Sequence, residues 1–240
     1  MNRSVLVSDL VCGWMLVASS AFAVDTATIA GTIAFEGVAP KRHKIATDAD
    51  PVCAAMHADE PLLSEEVIVN TNGTLRNVFV YVKKGLEGKS FDAPKTPVVI
   101  DQKGCQYHPH VFGMMAHQPL IILNSDNTLH NIHAHPVVNQ EFNVGEPIQG
   151  MKVTRTFAYP EVMVPFKCDV HPWMNAYVGV LGHPFYAVTG SDGTFSLKGL
   201  PPGDYLIEAW HEKYGTQDAT VSVGAGETKT VNFTFSSHAQ

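Results

Sequence analysis

The sequence predicts an all-β protein, and two observations carry that prediction. Short runs of β-branched and alternating apolar residues recur along the chain, and glycine, proline, asparagine and aspartate separate them. No long stretch has the apolar period of an amphipathic helix, and only 49–57 has the character of a short helix. Since 45% of the 240 residues are hydrophobic and 16% are charged, we expect folded β-sandwiches or barrels with one or two cores.

The predicted strands of the first three quarters of the chain are short and end in turn residues. The first run, 28–35, alternates apolar and small or hydroxyl side chains, as a strand against a core does. The run 119–124 leads into Asn124-Ser125-Asp126-Asn127, which is a turn signal. The strands expected in this part are 28–35, 67–70, 77–82, 97–101, 119–124, 152–157 and 176–181.

The last quarter of the chain has a regular strand-and-turn pattern of its own. Ser191-Asp192-Gly193 predicts a tight turn, and the segment 199–203 predicts a second, rigid one. The strands expected between and after these turns are 185–189, 194–197, 205–210, 219–223 and 228–235.

The first 23 residues have the features of a secretory signal peptide. Arg3 supplies a positive charge, 10–18 is apolar, and Ala21-Phe22-Ala23 fits the A-x-A cleavage pattern. The apolar run is too short to cross a bilayer, so we expect no membrane span. Cleavage after Ala23 predicts a periplasmic or secreted protein.

Removal of the signal peptide takes away Cys12 and leaves an odd number of cysteines. The simplest explanation pairs Cys53 with Cys105 in a disulfide and leaves Cys168 as a thiolate for a metal. The alternative is three unrelated free thiols, which an oxidising compartment disfavours.

Charge and histidine content narrow the function classes. The formal net charge of -7 gives no electrostatic support for a nucleic-acid partner. The chain has 12 histidines against 16 lysines and arginines. Because histidine is the commonest metal ligand, this excess favours metal binding.

The sharpest motif is the segment Cys168-Asp169-Val170-His171-Pro172-Trp173-Met174. It has the form C-x-x-H-x-x-M and lies between two strand-like runs. A thiolate, an imidazole and a thioether suit copper, which alternates between a state that prefers soft sulfur and one that prefers nitrogen. His130, after the turn that follows 119–124, offers a second imidazole. A zinc site normally adds a second C-x-x-C or H-x-x-x-H half, and none is evident.

This order of residues resembles the cupredoxins, the blue copper proteins, in their amicyanin-like short-loop form. The resemblance covers roughly 77–183 and implies a Greek-key sandwich with one copper ion. It also implies that His130, Cys168 and His171 form a trigonal ligand plane with Met174 as a weak axial ligand. Asn131 would tie the two ligand loops together near the sulfur.

The tail resembles a second family. Asp192-Gly193-Thr194-Phe195 and the segment 199–205 are similar to the carboxypeptidase regulatory-like domains, which are small Ig-like β-sandwiches with structural or adhesive roles. The expected division of the chain is a signal peptide at 1–23, an N-terminal extension with one or more strands at 24–76, the copper domain at 77–183 and the tail sandwich at 184–240.

Additional histidines crowd the region around His130, and their role stays open. His133 is an alternative to His130 as the copper ligand. Another interpretation gives His108, His110, His133 and His135 a second metal site, since His133 and His135 alternate on a strand-like segment. A third leaves them, with His117, as surface or hydrogen-bonded side chains.

Together these features predict an exported copper protein that carries electrons and turns over no substrate. We expect the ring edge of His171 to reach the surface, within an apolar rim formed by Pro165, Phe166, Pro172 and Trp173, where a redox protein docks transiently. The alternatives are a periplasmic copper-binding or delivery protein that uses the extra histidines, a copper oxidase or reductase, and a cell-surface interaction protein.

Overall fold

Residues 25–237, the part of the chain that a computed structural model describes, contain seventeen strands and one short helix. The all-β prediction is confirmed, and the predicted signal peptide lies outside the described residues. The strands are β1 (Ala27–Glu36), β2 (Phe79–Lys84), β3 (Val98–Lys103), β4 (Gln106–His108), β5 (Val111–Met115), β6 (Leu120–Asn124), β7 (His130–Ala134), β8 (Phe142–Glu146), β9 (Lys152–Arg155), β10 (Glu161–Lys167), β11 (Asn175–Leu181), β12 (Tyr186–Val188), β13 (Thr194–Leu200), β14 (Gly203–His211), β15 (Gly215–Val223), β16 (Thr228–Thr230) and β17 (Phe233–Ser236), and the helix is α1 (Pro51–Met56).

The first sandwich packs a four-stranded sheet against a five-stranded one. The strand orders are β4-β3-β6-β9 and β5-β11-β10-β7-β8. Alternate residues of both sheets point into one core, in which Ile122 of β6, Ile132 of β7 and Phe166 of β10 are fully buried. This alternation is what a strand with one face on a core requires.

The second sandwich takes strands from both ends of the chain. β1 pairs with β13, β16 and β17, while β2 pairs with β12 and β14, and β15 completes that sheet. β1 lies in the predicted N-terminal extension and β2 in the predicted copper domain, yet both complete sheets of the C-terminal segment. Strand patterning tells which face of a strand is buried but not which partner it joins. The expected division therefore placed β2 by its position in the chain, and neither of these pairings follows from the sequence.

Strand β2 joins the two sandwiches because both of its faces are buried. Val80 and Val82 point into the core of the second sandwich, whereas Phe79 and Tyr81 belong to an apolar cluster with residues of the first. At this contact a Cβ on Gly179 would lie 2.3 Å from the Phe79 ring, so the close approach requires glycine.

Several predicted strands differ from the observed ones. The run 67–70 contributes only an isolated bridge between Val69 and Leu75. Five observed strands are absent from the list of expected strands, namely β4, β5, β7, β8 and β10, although the run before Cys168 and the segment around His133 are described as strand-like. They contain histidine, glutamate, glycine or proline, which weaken a local strand signal, and pairing with neighbours stabilises them instead.

The predicted short helix is present as α1 and lies against the end of the first sandwich. Asp50 caps it, accepting hydrogen bonds from the N–H groups of Val52 and Cys53 at 2.7 and 3.2 Å. The disulfide between Cys53 and Cys105 links α1 to the turn between β3 and β4. Within residues 25–237, no helix has the length and hydropathy needed to cross a bilayer.

Candidate metal centre

The loop that carries the C-x-x-H-x-x-M motif is closed by the strands on either side. β10 and β11 are antiparallel neighbours in which Lys167 pairs with Asn175, so residues 168–174 form the whole connection. Inside the loop, the Cys168 N–H donates to the Met174 carbonyl at 3.2 Å and the Met174 N–H donates to the His171 carbonyl at 2.9 Å. These bonds fix the backbone that carries the three side chains.

His130 meets this loop because β7 lies next to β10 in the same sheet. Its Nδ1 lies 2.9 Å from Nδ1 of His171, and that nitrogen lies 3.8 Å from Sγ of Cys168. The three side chains are almost completely enclosed, with exposures of 0% for His130, 1% for His171 and 3% for Cys168. The structure therefore brings two imidazoles and one thiol to a single buried point.

Carboxylates orient both imidazole rings. Nε2 of His130 donates to Asp126 at 3.0 Å, and Nε2 of His171 donates to Asp50 at 3.0 Å. With both Nε2 atoms occupied, each ring presents Nδ1 to the centre. Carboxylate–histidine pairs of this kind fix the ring and raise the basicity of the ligating nitrogen in metal sites.

The two histidines differ in how readily they accept a proton. Burial opposes a charge on His130, but hydrogen bonds to Asp126 and Cys168 outweigh it and raise its pKa to about 9. Burial lowers the pKa of His171, against the opposing effect of Asp50. The two Nδ1 atoms share a hydrogen bond at the point where a metal cation would bind both nitrogens, so a metal would compete with the proton there.

The Cys168 sulfur lies among groups that favour its thiolate form. Burial raises its pKa, but His130 and backbone N–H groups outweigh burial, so the pKa lies below the ordinary value of a thiol. The His171 N–H points at Sγ from 3.4 Å. Oδ1 of Asn131 accepts from the thiol form of Cys168 at 3.2 Å and from the Asp169 N–H at 2.8 Å, and these bonds tie β7 to the loop.

The predicted disulfide lies directly beside this cluster. Sγ of Cys53 is 3.9 Å from Nε2 of His171, and the Trp173 indole donates to the Cys105 carbonyl at 3.0 Å. Because Cys53 and Cys105 are joined in the disulfide, Cys168 is the free cysteine among the described residues. Met174 is buried, with 1% exposure.

The prediction that the ring edge of His171 reaches the surface is wrong. Asp50 and α1 lie over the ring, and its exposure is 1%. Phe166, expected in an apolar rim, is fully buried in the core of the first sandwich. An N-terminal segment that returns over the ligand loop is a non-local contact, which the loop sequence does not encode.

The additional histidines do not form one group. His108, at the end of β4, is exposed and bonds to the Lys103 carbonyl at 3.1 Å, while His117 is exposed in the turn after β5. His110 is buried between the sandwiches, where Nε2 contacts Glu212 at 2.5 Å and Nδ1 contacts the Asn175 carbonyl at 3.1 Å. Only His133 and His135 lie together, with ring centroids 4.0 Å apart.

Sequence reasoning missed the two carboxylates that orient the centre. Asp126 lies four residues before His130, in the predicted turn, and it also accepts the N–H groups of Gly104 and Cys105, both at 2.8 Å. Asp50 is the N-cap of the predicted helix, and its second oxygen accepts from Thr128 at 2.8 Å. A turn aspartate four residues before a candidate ligand was the available signal for Asp126.

Comparison with protein families supports the assignment of the tail. A model of the carboxypeptidase regulatory-like domain matches residues 170–236, which confirms the resemblance found in the sequence. A search among curated proteins gives no match.

Solved structures similar to this chain include copper proteins. A copper-containing nitrite reductase from Thermus scotoductus SA-01 is 18% identical over 42% of this chain and 26% of its own, with a TM-score of 0.34. A purple cupredoxin from Nitrosopumilus maritimus is 20% identical over 34% of this chain and 97% of its own, with a TM-score of 0.30. A reduced amicyanin variant is 18% identical over 42% and 97% of the two chains, with a TM-score of 0.32.

Proposed function

We propose that this protein binds one copper ion through His130, Cys168, His171 and Met174 and carries electrons outside the cytoplasm. One observation carries the proposal: a ring nitrogen of His130, a ring nitrogen of His171 and the free sulfur of Cys168 lie within 4.8 Å of one another in a buried cluster. Two other possible ligand groups with a cysteine use Cys53 or Cys105, whose sulfurs are in the disulfide and supply no thiolate.

The donor set suits copper more than other metals. Thiolate and thioether sulfur favour Cu(I), imidazole accommodates Cu(II), and a trigonal site of two histidines and one cysteine with a weak axial methionine is typical of electron-transfer copper. Bound copper supplies a reversible one-electron couple. Asp50 and Asp126 hold both rings in place, so the ligands have little freedom to rearrange when the electron arrives or leaves.

Burial favours electron transfer over catalysis and over copper delivery. The imidazoles and the thiol are nearly inaccessible to solvent, so a substrate has no open position at the centre. Exchange of the metal requires movement of the loop or of α1, which the disulfide anchors to the first sandwich. A delivery protein, in contrast, needs ligands that another protein or chelator can reach.

The partner in this proposal docks beside His171 rather than on its ring. Val170 and Pro172 flank His171 and are exposed, and Leu129, next to His130, is 42% exposed. A small apolar contact of this kind permits the rapid association and release that electron transfer requires. The Cys53–Cys105 disulfide supports a location outside the cytoplasm, since disulfides persist in oxidising compartments.

Redox cycling combined with chelator challenge tests this function. Copper-loaded protein, washed with a mild chelator to remove loosely held metal, is reduced with ascorbate, reoxidised with ferricyanide and then mixed with a strong Cu(I) chelator. We expect full recovery of the oxidised spectrum over repeated cycles and slow loss of copper. Transfer of the copper within the mixing time would contradict electron transfer and favour delivery.

The matched control for this experiment is His108→Ala. His108 is an exposed histidine that lies apart from the buried cluster, so cycling and retention should equal those of the wild type. A change in that variant would assign the signal to surface-bound copper.

A further inference from the structure

A second group of potential metal ligands lies on the surface of the first sandwich. Nitrogens of His133 and His135 and an oxygen of Glu141 all lie within 4.8 Å of one another. His133 belongs to β7, His135 follows it, and Glu141 immediately precedes β8, the strand that pairs with β7. The sheet therefore brings the three side chains together from two adjacent strands.

The His133 ring is held with one nitrogen directed at Glu141. Nε2 lies 2.6 Å from a Glu141 oxygen, and Nδ1 lies 3.2 Å from Oδ1 of Asp169. The other oxygen of Asp169 accepts from the amide groups of Asn131 and Asn143 at 3.0 and 2.6 Å. Asp169 thus contacts His133, Asn131 and Asn143, and it leaves Nε2 of His133 as the nitrogen directed at Glu141.

The local charge favours a cation. Among the described residues, Glu141 and Asp169 form salt bridges with His133 alone, so no lysine or arginine neutralises either carboxylate. Lys167 of β10 lies opposite His133 of β7. The Lys167 side chain is exposed, so solvent screens its charge. Two imidazoles and the Glu141 carboxylate therefore lie around one point at the surface, and the Asp169 carboxylate adds negative charge behind the His133 ring.

We propose that His133, His135 and Glu141 bind a divalent cation of the Zn²⁺ or Cu²⁺ class, with Asp169 as a positioning residue for His133. Imidazole and carboxylate ligands suit both ions, and three protein ligands leave a position for water. The metal replaces the proton shared by His133 and Glu141 and binds Nε2 and the carboxylate oxygen. This site is separate from the buried centre and goes beyond the proposed electron-transfer function.

The surface position predicts an exchangeable metal. The side chains of His133 and Glu141 are 21% and 61% exposed, so a chelator reaches this site directly. The predicted group of His108, His110, His133 and His135 is thereby replaced: His110 uses both nitrogens elsewhere, and two residues not singled out from the sequence, Glu141 and Asp169, take part.

Calorimetric titration with Zn²⁺ tests the site in full-length protein carrying Cys168→Ser, so that the buried thiol contributes no binding. We expect one Zn²⁺ per chain. Glu141→Gln and His135→Asn should each weaken it by at least about tenfold, and Asp169→Asn by roughly tenfold or more through the orientation of His133. His108→Ala is the matched control and should bind as tightly as its parent.

The outcomes separate this proposal from the copper function. Because Cys168 is already absent, loss of the copper spectrum in other experiments has no bearing on the titration. Glu141 is mostly exposed, so weaker binding in Glu141→Gln does not come from unfolding, and circular dichroism checks this. Unchanged affinity in Glu141→Gln and His135→Asn, or equal loss in His108→Ala, would overturn the site.

Discussion

One strand, β7, supports two histidine clusters with opposite surroundings. His130 points into the first sandwich and is fully buried, while His133 lies on the other face and is partly exposed. Successive residues of a strand alternate between faces, so a spacing of three residues separates them. Each ring is paired with a carboxylate, Asp126 for His130 and Glu141 for His133. Both clusters thus contain a histidine paired with a carboxylate, but one is buried and the other is partly exposed.

The two proposed sites differ in burial and in the presence of a thiol, and these two properties determine which metal chemistry each site favours. At His130 the carboxylate lies behind the ring, and the inward nitrogen faces His171 and the Cys168 sulfur. At His133 the Glu141 carboxylate lies on the side of the proposed metal and would itself be a ligand. The first arrangement favours a retained redox metal, and the second favours an exchangeable divalent cation.

Removing one histidine from each cluster gives the largest expected contrast. His130→Gly should abolish the intense colour of the copper protein, and added imidazole should restore it by filling the hole left in the ligand plane. His133→Gly should leave the colour nearly unchanged. Visible absorption spectra of both variants check this, and the reverse pattern would move the copper centre to the outer face of β7.

The disulfide should affect the buried centre far more than the surface cluster. Cys53→Ser with Cys105→Ser removes the link across 52 residues and should cost about 2–5 kcal/mol of stability. It should also speed copper loss, since α1 then covers His171 less firmly. Urea unfolding and chelator kinetics measure both effects. Unchanged copper retention in the double variant would mean that α1 does not control access.

A buried carboxyl beside His130 makes stability depend on pH. Glu146 pairs with His130 across β7 and β8, and burial raises its pKa to about 7, against its hydrogen bond from Gln102. Between its ordinary pKa and about 7 the folded state keeps a proton that the unfolded state has lost. The free energy of unfolding therefore falls as pH rises through this window and stays reduced above it.

Glu146→Gln should remove that decrease in the metal-free protein. At pH 8 the variant should exceed the wild type by on the order of 2 kcal/mol, relative to their difference at pH 4.5. Urea titrations at both pH values give the comparison. Parallel pH profiles for the two proteins would show that Glu146 titrates as an ordinary surface carboxyl does.

The axial position should give the smallest change. Met174→Leu nearly conserves side-chain volume at a buried position, so the fold should lose less than about 1.5 kcal/mol. Because the axial contact is weak, copper should stay bound and coloured while the reduction potential shifts. Voltammetry measures the shift, and loss of copper from this variant would mean that Met174 is a principal ligand.

Features that depend on short spacings along the chain could be predicted from the sequence. The loop from Cys168 to Met174, the helix after Asp50 and the pairing of Cys53 with Cys105 could all be predicted, because each follows from a short motif or from cysteine count. The enclosure of His171 could not be predicted, since α1 reaches it from more than a hundred positions away. Glu141 was missed for the same reason: only the pairing of β7 with β8 brings it to His133.

The absorption spectrum of the Cu(II)-loaded protein tests the central assignment most directly. With Cys168 as a thiolate ligand, an intense sulfur-to-copper charge-transfer band should appear in the visible range. The same band should be absent from Cys168→Ser, in which copper at the histidines would give only weak absorption. Intense colour that survives in Cys168→Ser, or its absence from the loaded wild type, would contradict the assignment.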